Sequence, residues 1–266
     1  LAFTMTDKAR ARLFLHDIAQ QRTEQVSSDR FAAYSPAFSP DGRWLWFLSD
    51  RTFKATPGAP WGDRVMGPQF NERAGVYGLA LTDDARFPFL SDALGVPPPQ
   101  DEGAKAKKGG KSDADDVPEP IQVAWEGLAG RLYAVPAPAA NYTGLAATSE
   151  RLYVSRRGDD KAALLSIAIG PDAQIETFHG ALDSFELSAE GDTLLLRKDN
   201  TAWIVPTGAK APGDLAEMRV DLGGWRLNIT PAEEWRQMFD DAWRMHRDLS
   251  FDPNMRGLDW EAIQRK

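Results

Sequence analysis

Two alternating apolar runs joined by a tight turn, Tyr34-Ser-Pro-Ala-Phe-Ser-Pro-Asp-Gly-Arg-Trp-Leu45 and on to Asp50, constrain this chain more than any other feature. Phe38 ends one run and Trp44 begins the next, and Pro40, Asp41 and Gly42 supply the turn chemistry that an antiparallel connection needs. The pattern recurs. Phe38–Phe47 superposes without gaps on Leu145–Val154 and on Leu187–Leu196, and Leu187 stands 42 residues after Leu145. Leu1–Asp7 matches the second half of the first hairpin, Leu45–Asp50. Repeats of about 40 to 50 residues, each carrying four strands, are the period of a β-propeller.

Third and fourth strands follow each hairpin in the pattern. Arg12–Ile18 and Arg22–Val26 follow the first run, and Val76–Leu81 and Arg86–Leu90 follow the second. Ala163–Ile169 and Ile175–Phe178 follow the third, and Ala202–Val205 and Met218–Leu222 the fourth. The sequence therefore predicts a mainly β fold, a partial β-propeller of about four four-stranded blades over residues 1–224, one blade lacking its first strand. Four blades in an arc leave sheet faces without neighbours, so the ring either closes atypically or continues upstream. The interval from Phe38 to Leu145 exceeds one blade. Its excess, about 95–120, holds three consecutive prolines and a Lys/Asp/Gly-rich run that buries no apolar area, and is expected to be a flexible surface insertion. Ile121–Pro136 resumes strand patterning and is expected at the outer edge of the second blade.

From Thr230 the period changes. Thr230, Pro231 and Glu233 carry the residues of a capping box with proline at the first helical position. Trp235, Phe239, Ala242, His246 and Leu249 then recur at helical spacing and, widened by Met238, Trp243 and Met245, predict one broad apolar face that needs a large partner. Asp252 and Pro253 end that helix, and Asp259 caps a second. Residues 225–266 thus read as a linker and a short α-helical segment. Both ends of the chain look cut, and we expect it to be part of a longer polypeptide.

Composition narrows the function classes. Hydrophobic residues make up 42% and charged residues 26%, within the range of ordered globular chains. Net charge is −8 and the basic residues are scattered, which argues against nucleic acid as a partner. Cysteine is absent, which removes disulfides, thiol nucleophiles and cysteine-ligated zinc. Nine tryptophans suit packing between sheets or at a domain junction. No apolar run reaches the roughly 18 residues of a membrane helix. The expected compartment is the cytoplasm, with the periplasm as the alternative.

Only His16, His179 and His246 could act as imidazole bases. None stands near a recognisable nucleophile and orienting acid, and each reads as structural or surface. Arg156-Arg-Gly-Asp-Asp160 reads as a charged turn, and Asp41-Gly42 as a turn without the alternating oxygen ligands of a calcium loop. No Gly-x-Ser-x-Gly elbow, His-Glu-x-x-His, phosphate loop or dinucleotide fingerprint occurs. The expected catalytic, cofactor-binding and metal-binding sets are therefore empty.

The hairpin Tyr34–Leu45 resembles the blade motif of TolB-like and tricorn-type propellers. Pro231–Trp260 is similar to the start of the helical core domain that follows the propellers in tricorn proteases and their S41-family homologues, and Pro136–Tyr142 resembles a stretch in bacterial members. The resemblance runs nearly end to end. It implies a serine peptidase acting on oligopeptides, in which the propeller is a gate and later domains, one PDZ-like, carry the chemistry. The family's catalytic His follows a Ser downstream of the Asp-Trp pair matched by Asp259 and Trp260. Here Leu15, Phe178 and Met245 precede the three histidines, so no catalytic residue is carried over. The partners this implies are a peptide substrate, the PDZ-like and catalytic domains of the same polypeptide, and a second copy of the chain. A free-standing TolB-like propeller that binds proteins or peptides is the alternative. A prolyl-oligopeptidase-like enzyme, whose sequel would carry a Gly-x-Ser-x-Gly elbow, is the third reading.

Overall fold

The computed structural model describes residues 1–7, 10–52, 71–90, 121–158, 162–224 and 226–265. The expected insertion at about 95–120 lies outside them, as do Asp159 and Asp160 of the charged turn. The chain divides into two compact units, Leu1–Val220 and Asp221–Lys266.

The first unit is four antiparallel meanders, each laid down in chain order. β1 (Ala2–Asp7), β2 (Arg10–Asp17) and β3 (Arg22–Gln25) form the first sheet. β4 (Ala33–Phe38), β5 (Trp44–Asp50), β6 (Ala74–Ala80) and β7 (Leu132–Ala134) form the second. β8 (Tyr142–Ala147), β9 (Arg151–Arg157), β10 (Ala162–Ala168) and β11 (Ile175–Leu182) form the third. β12 (Ser184–Leu187), β13 (Thr193–Lys198) and β14 (Thr201–Pro206) form the fourth. This is the mainly β, propeller-type architecture that the hairpin repeat predicts.

Alternation explains why each strand sits where it does. Successive side chains of a strand point to opposite faces, so a strand between two packed sheets must be apolar on both. In β5, Trp44, Trp46 and Leu48 enter a core shared with Leu152, Val154, Leu165 and Ile167 of the third sheet. Leu45 and Phe47 enter another, shared with Leu13 and Leu15 of the first sheet. In β9, Tyr153 turns the other way from Leu152 and Val154, into a core with Leu194, Leu196 and Val205 of the fourth sheet. Each neighbouring pair of sheets thus encloses one core. Full burial of a large apolar side chain contributes roughly 1.5–3 kcal/mol, so these three seams hold the unit together.

The hairpin turns share one device. Ser39 N–H donates to the Trp44 carbonyl at 2.9 Å, and its hydroxyl accepts from Trp44 N–H at 2.9 Å. Ser188 does the same with Thr193, and Thr148 with Arg151. Gly42 and Gly191 lie in the left-handed region, at φ 68° and 76°, where glycine alone is unstrained.

Four expectations need correction. Register places Phe38 opposite Leu45, Leu187 opposite Leu194, and Ala147 opposite Leu152. Ala147, and not Leu145, is therefore the counterpart of Phe38. The middle turn is two residues shorter, and a slip of two keeps every side chain on its face, which is why a gapless match looked sound. The outer strand of the second sheet is β7; Arg86–Leu90 is not a strand. Pro88 has no N–H to give a ladder, and Phe87 and Phe89 plug the core instead, Phe87 stacking on Tyr133 at 4.9 Å. The fourth sheet closes with an isolated bridge between Trp203 and Arg219 in place of a full strand at Met218–Leu222. The Thr230 side chain makes no capping bond; its carbonyl accepts from Glu233 N–H at 3.0 Å.

In the second unit, α1 (Pro231–Leu249) begins with proline in its first turn, and α2 (Trp260–Gln264) is capped by Asp259, whose side chain accepts from Ala262 N–H at 2.9 Å. Trp243, 9% exposed, is the buried residue of α1. Its indole N–H donates to the Trp260 carbonyl at 2.7 Å, the Trp260 indole N–H returns a bond to the Trp243 carbonyl at 3.2 Å, and the rings stack at 6.3 Å.

Candidate functional site

The edge strands β4, β8 and β12 belong to three successive sheets. Ser35, Ala37 and Phe38 of the first, Gly144–Ala147 of the second, and Phe185–Leu187 of the third line one open groove of about 540 Å³. β4 departs from regular pairing between Tyr34 and Ala37, and Ser35 there has φ 52°. Pro36 cannot contribute an N–H, and the irregular turn of the strand sends the Ser35 hydroxyl across to the Thr143 carbonyl at 3.3 Å. The Thr143 hydroxyl in turn lies 2.7 Å from that of Ser155.

A more polar cleft of about 560 Å³ opens beside this groove, between the second and third sheets, with Tyr34, Asp50, Arg73, Asn141, Tyr142 and Arg157 among its walls. Tyr34 and Asp50 stand on the two strands of one hairpin, both at its open end. The Tyr34 hydroxyl donates to Asp50 Oδ1 at 2.9 Å and lies 3.2 Å from the Tyr142 carbonyl. Arg73 reaches the other Asp50 oxygen at 3.3 Å. Asn141 Oδ1 accepts from Glu72 N–H at 2.9 Å, which ties the loop before β6 to the start of the third sheet. Burial, followed by the Asp50 charge, pushes the Tyr34 phenol far above the ordinary range. Tyr34 is therefore a fixed donor and not a base. The cleft offers guanidinium and amide donors beside a carboxylate already paired with Arg73, which suits peptide carbonyls or a carboxylate.

The three histidines are dispersed. His16 Nδ1 lies 2.8 Å from the Thr23 hydroxyl. His179 accepts from Ala181 N–H at 3.3 Å, and burial, helped by Lys198, holds its pKa below the usual imidazole value. His246 meets the edge of Trp260 at 6.2 Å. Among the described residues none of them has a carboxylate hydrogen-bond partner, and no group of three or more metal-ligating side chains gathers. Sequence reasoning singled out neither Arg73 nor Asn141. Tyr34 and Asp50 were legible only as hairpin ends, and their pairing across β4 and β5 was the one available signal.

The helical unit has a second surface. Trp235 is 67% exposed, and Met238, Phe239 and Leu249 are also exposed. The face predicted from the spacing of Trp235, Phe239, Ala242, His246 and Leu249 is open, whereas Trp243, beside it, is covered by Trp260.

Comparison with known proteins agrees with this architecture. Residues 231–266 match the tricorn protease C1 domain family. The chain is 31% identical to tricorn protease homolog 1 of Streptomyces coelicolor over 88% of its own length and 23% of that relative's. It is 23% identical to the tricorn protease homolog of Saccharolobus solfataricus, over 88% of this chain and 20% of the other. The chain thus spans about a quarter of these relatives or less. The crystal structure of the tricorn protease superposes with a TM-score of 0.68 over 99% of this chain and 25% of that one, at 18% identity. The likeness drawn from Pro231–Trp260 and from the hairpins holds in sequence and in fold.

Proposed function

From this likeness to tricorn proteases along nearly the whole chain, we propose that residues 1–224 are the substrate-gating propeller portion of a tricorn-like serine peptidase of the S41 class that hydrolyses oligopeptides. Residues 225–266 are then the linker and first helices of its core domain. The observation that carries this reading is the coincidence of two independent matches. A propeller-type unit aligns with tricorn protease homologues, and directly after it stands a stretch matching the C1 domain. The exposed Trp235 face supports it, because a Trp-rich helix surface of this kind is usually an interaction surface.

On this reading the catalytic nucleophile, its histidine and its acid belong to other domains of the same polypeptide, one of them PDZ-like, and the setting is cytoplasmic. The groove over β4, β8 and β12 admits extended peptides by width, and the Arg73–Asn141 cleft offers them hydrogen bonds. The test compares the chain of residues 1–266 with the longer polypeptide on fluorogenic oligopeptides. The longer form cleaves and the chain alone does not; turnover by the purified chain refutes the assignment.

A further inference from the structure

The outer face of the first sheet carries an aromatic pair whose counterpart in the second sheet is buried. In β5 and β6, Phe47 stands opposite Tyr77 and the rings stack at 6.0 Å; in β1 and β2, Phe3 stands opposite Phe14 and the rings stack at 5.6 Å. Phe47 and Tyr77 belong to the core that Leu13 and Leu15 of the preceding sheet complete. Side chains alternate along a strand, so Phe14, between Leu13 and Leu15, points away from that core. The same use of a strand holds in every seam. The second strand of each later sheet turns two alternate residues toward the sheet before it, Leu45 and Phe47, Leu152 and Val154, Leu194 and Leu196, and all six are buried. Their counterparts in β1, from the match of Leu1–Asp7 to Leu45–Asp50, are Leu1 and Phe3. Leu1 is 66% exposed, and Met5, next along the same face, is 54% exposed.

In stacked repeats each unit touches only its neighbours, and an end unit that meets water carries a polar outer face. This face is not built that way. Phe3, Met5 and Phe14 lie on it, and its polar members are engaged elsewhere, Arg12 with Asp29 at 3.4 Å and His16 with the Thr23 hydroxyl at 2.8 Å. We infer that the outer face of the first sheet is a further seam, closed in the longer polypeptide by another antiparallel sheet of the same hairpin repeat. That sheet sets two branched aliphatic residues, two apart on one strand, against Phe3 and Phe14, as Leu13 and Leu15 are set against Phe47 and Tyr77. Continuity picks the occupant: all three seams of this unit are sheet on sheet, and the same pleated face in the same register takes the same partner. The chain spans 23% of the Streptomyces relative, which leaves ample polypeptide to supply it. A second copy would offer the outer face of its fourth sheet, where Glu186 stands in one row with Leu195 and Ile204, and stacking there would take that carboxylate out of water. The inference stands on seams and register and does not need the peptidase reading.

Cysteine is absent from the chain, so Met5→Cys places a single thiol on this face, and Gln20→Cys places one in the exposed turn between β2 and β3 as a control. In the chain of residues 1–266 the two thiols react comparably fast with N-ethylmaleimide. In the longer polypeptide, followed peptide by peptide by mass spectrometry, Met5→Cys slows by about tenfold or more and Gln20→Cys does not, because alkylation needs an accessible thiolate. Photo-methionine, incorporated into a mixture of isotopically light and heavy copies of the longer polypeptide, then identifies the cover from the cross-link formed at position 5. The expected link stays within one polypeptide and joins a strand of alternating pattern outside residues 1–266. Slow reaction of Met5→Cys in the chain alone, an equal rate in the two forms, a link between light and heavy copies, or a link to a helical segment overturns the seam. None of these readouts depends on hydrolysis: a longer form that protects Met5→Cys and cleaves nothing sinks the peptidase assignment and leaves the seam standing.

Discussion

Gly78→Ala tests the central seam most directly. Gly78 lies opposite Trp46 in the β5–β6 register. Its backbone is ordinary strand, so an added methyl meets no backbone strain; what it meets is the indole. A Cβ built there falls 2.5 Å from Trp46 Cζ3, 2.9 Å from Cε3 and 3.2 Å from Trp44 Cε3. The closest approach is about 0.9 Å short of ordinary van der Waals contact, which begins at 3.4 Å. Retreat of the indole is hindered, because Trp46 is stacked on Trp44 and meets Phe89 edge-on at 5.9 Å, and Trp44 touches Phe87 at 5.6 Å. Overpacking of this kind costs about 1–3 kcal/mol, and the reduced freedom of alanine in the unfolded chain returns about 0.4–1 kcal/mol. A net loss of about 1–2 kcal/mol lowers the midpoint by roughly 2–8 °C in a unit of this size. Thermal unfolding followed by near-ultraviolet circular dichroism reads it in the tryptophan signal itself. Trp46→Leu trims the clashing ring, so the double variant loses less than the sum of the two single losses, by about 1 kcal/mol. A midpoint unchanged or raised in Gly78→Ala, or strict additivity with Trp46→Leu, refutes the placement of the indole against β6.

Two further outcomes follow from the same structure. Burial pushes the phenols of Tyr34, Tyr77, Tyr142 and Tyr153 upward, so the folded chain holds protons that the unfolded chain releases near pH ~10; stability is intact below that value and declines as pH rises beyond it. Urea midpoints between pH 9 and about 11 measure the decline, and Tyr34→Phe makes it shallower; an identical slope in the variant contradicts the assignment. In the helical unit, Trp243→Ala removes the anchor that Trp260 covers, a loss of about 3–5 kcal/mol by analogy with core tryptophans, and depletes the helical signal at 222 nm, whereas Trp235→Ala at the exposed face leaves the chain's helicity unchanged. Equal loss in both variants would show that Trp235 is part of the unit's own core.

The fold was legible because a propeller asks little of any single residue. Alternation, a turn with Gly42 or Gly191, and a hydroxyl at the strand end suffice, and each can be read within a dozen residues. The strand at Leu132–Ala134 was harder, since the competing segment Arg86–Leu90 is more aromatic; Pro88 was the signal against it. The two-residue slip in the middle hairpin was hidden, because a pattern of period two cannot report a shift of two. The clefts were illegible for a different reason. Asn141 meets Glu72, and the Tyr34 hydroxyl meets the Tyr142 carbonyl, across sequence separations over which no periodicity carries information. In the second unit the helix was legible, and spacing placed Trp243 on the flank of the face of Trp235 and Phe239; that Trp243 is covered while Trp235 is open was not, because its cover, Trp260, lies beyond the end of α1.

The same economy bears on what fold likeness can say about chemistry. Each core lies between neighbouring sheets, so the first and the fourth sheet each take part in one seam, and the second and the third each take part in two. In such arrays stability approximates a sum over units and nearest-neighbour interfaces, so the second and third sheets, bounded on both faces, are the stiff part of the unit. On the outer face of the first sheet, Phe3 and Phe14 stack at 5.6 Å with Met5 exposed beside them. Seams tolerate many apolar combinations of the right volume, which is how 18% identity coexists with close superposition on the tricorn protease. Rims do not tolerate them: Tyr34 with Asp50 and Arg73 with Asp50 each depend on one named polar atom. Conservative changes at the rims therefore alter recognition at little cost to the fold, and changes inside the seams do the reverse. Under the proposed reading of this unit as a gate, that separation lets selectivity vary while the sheets that frame it stay fixed.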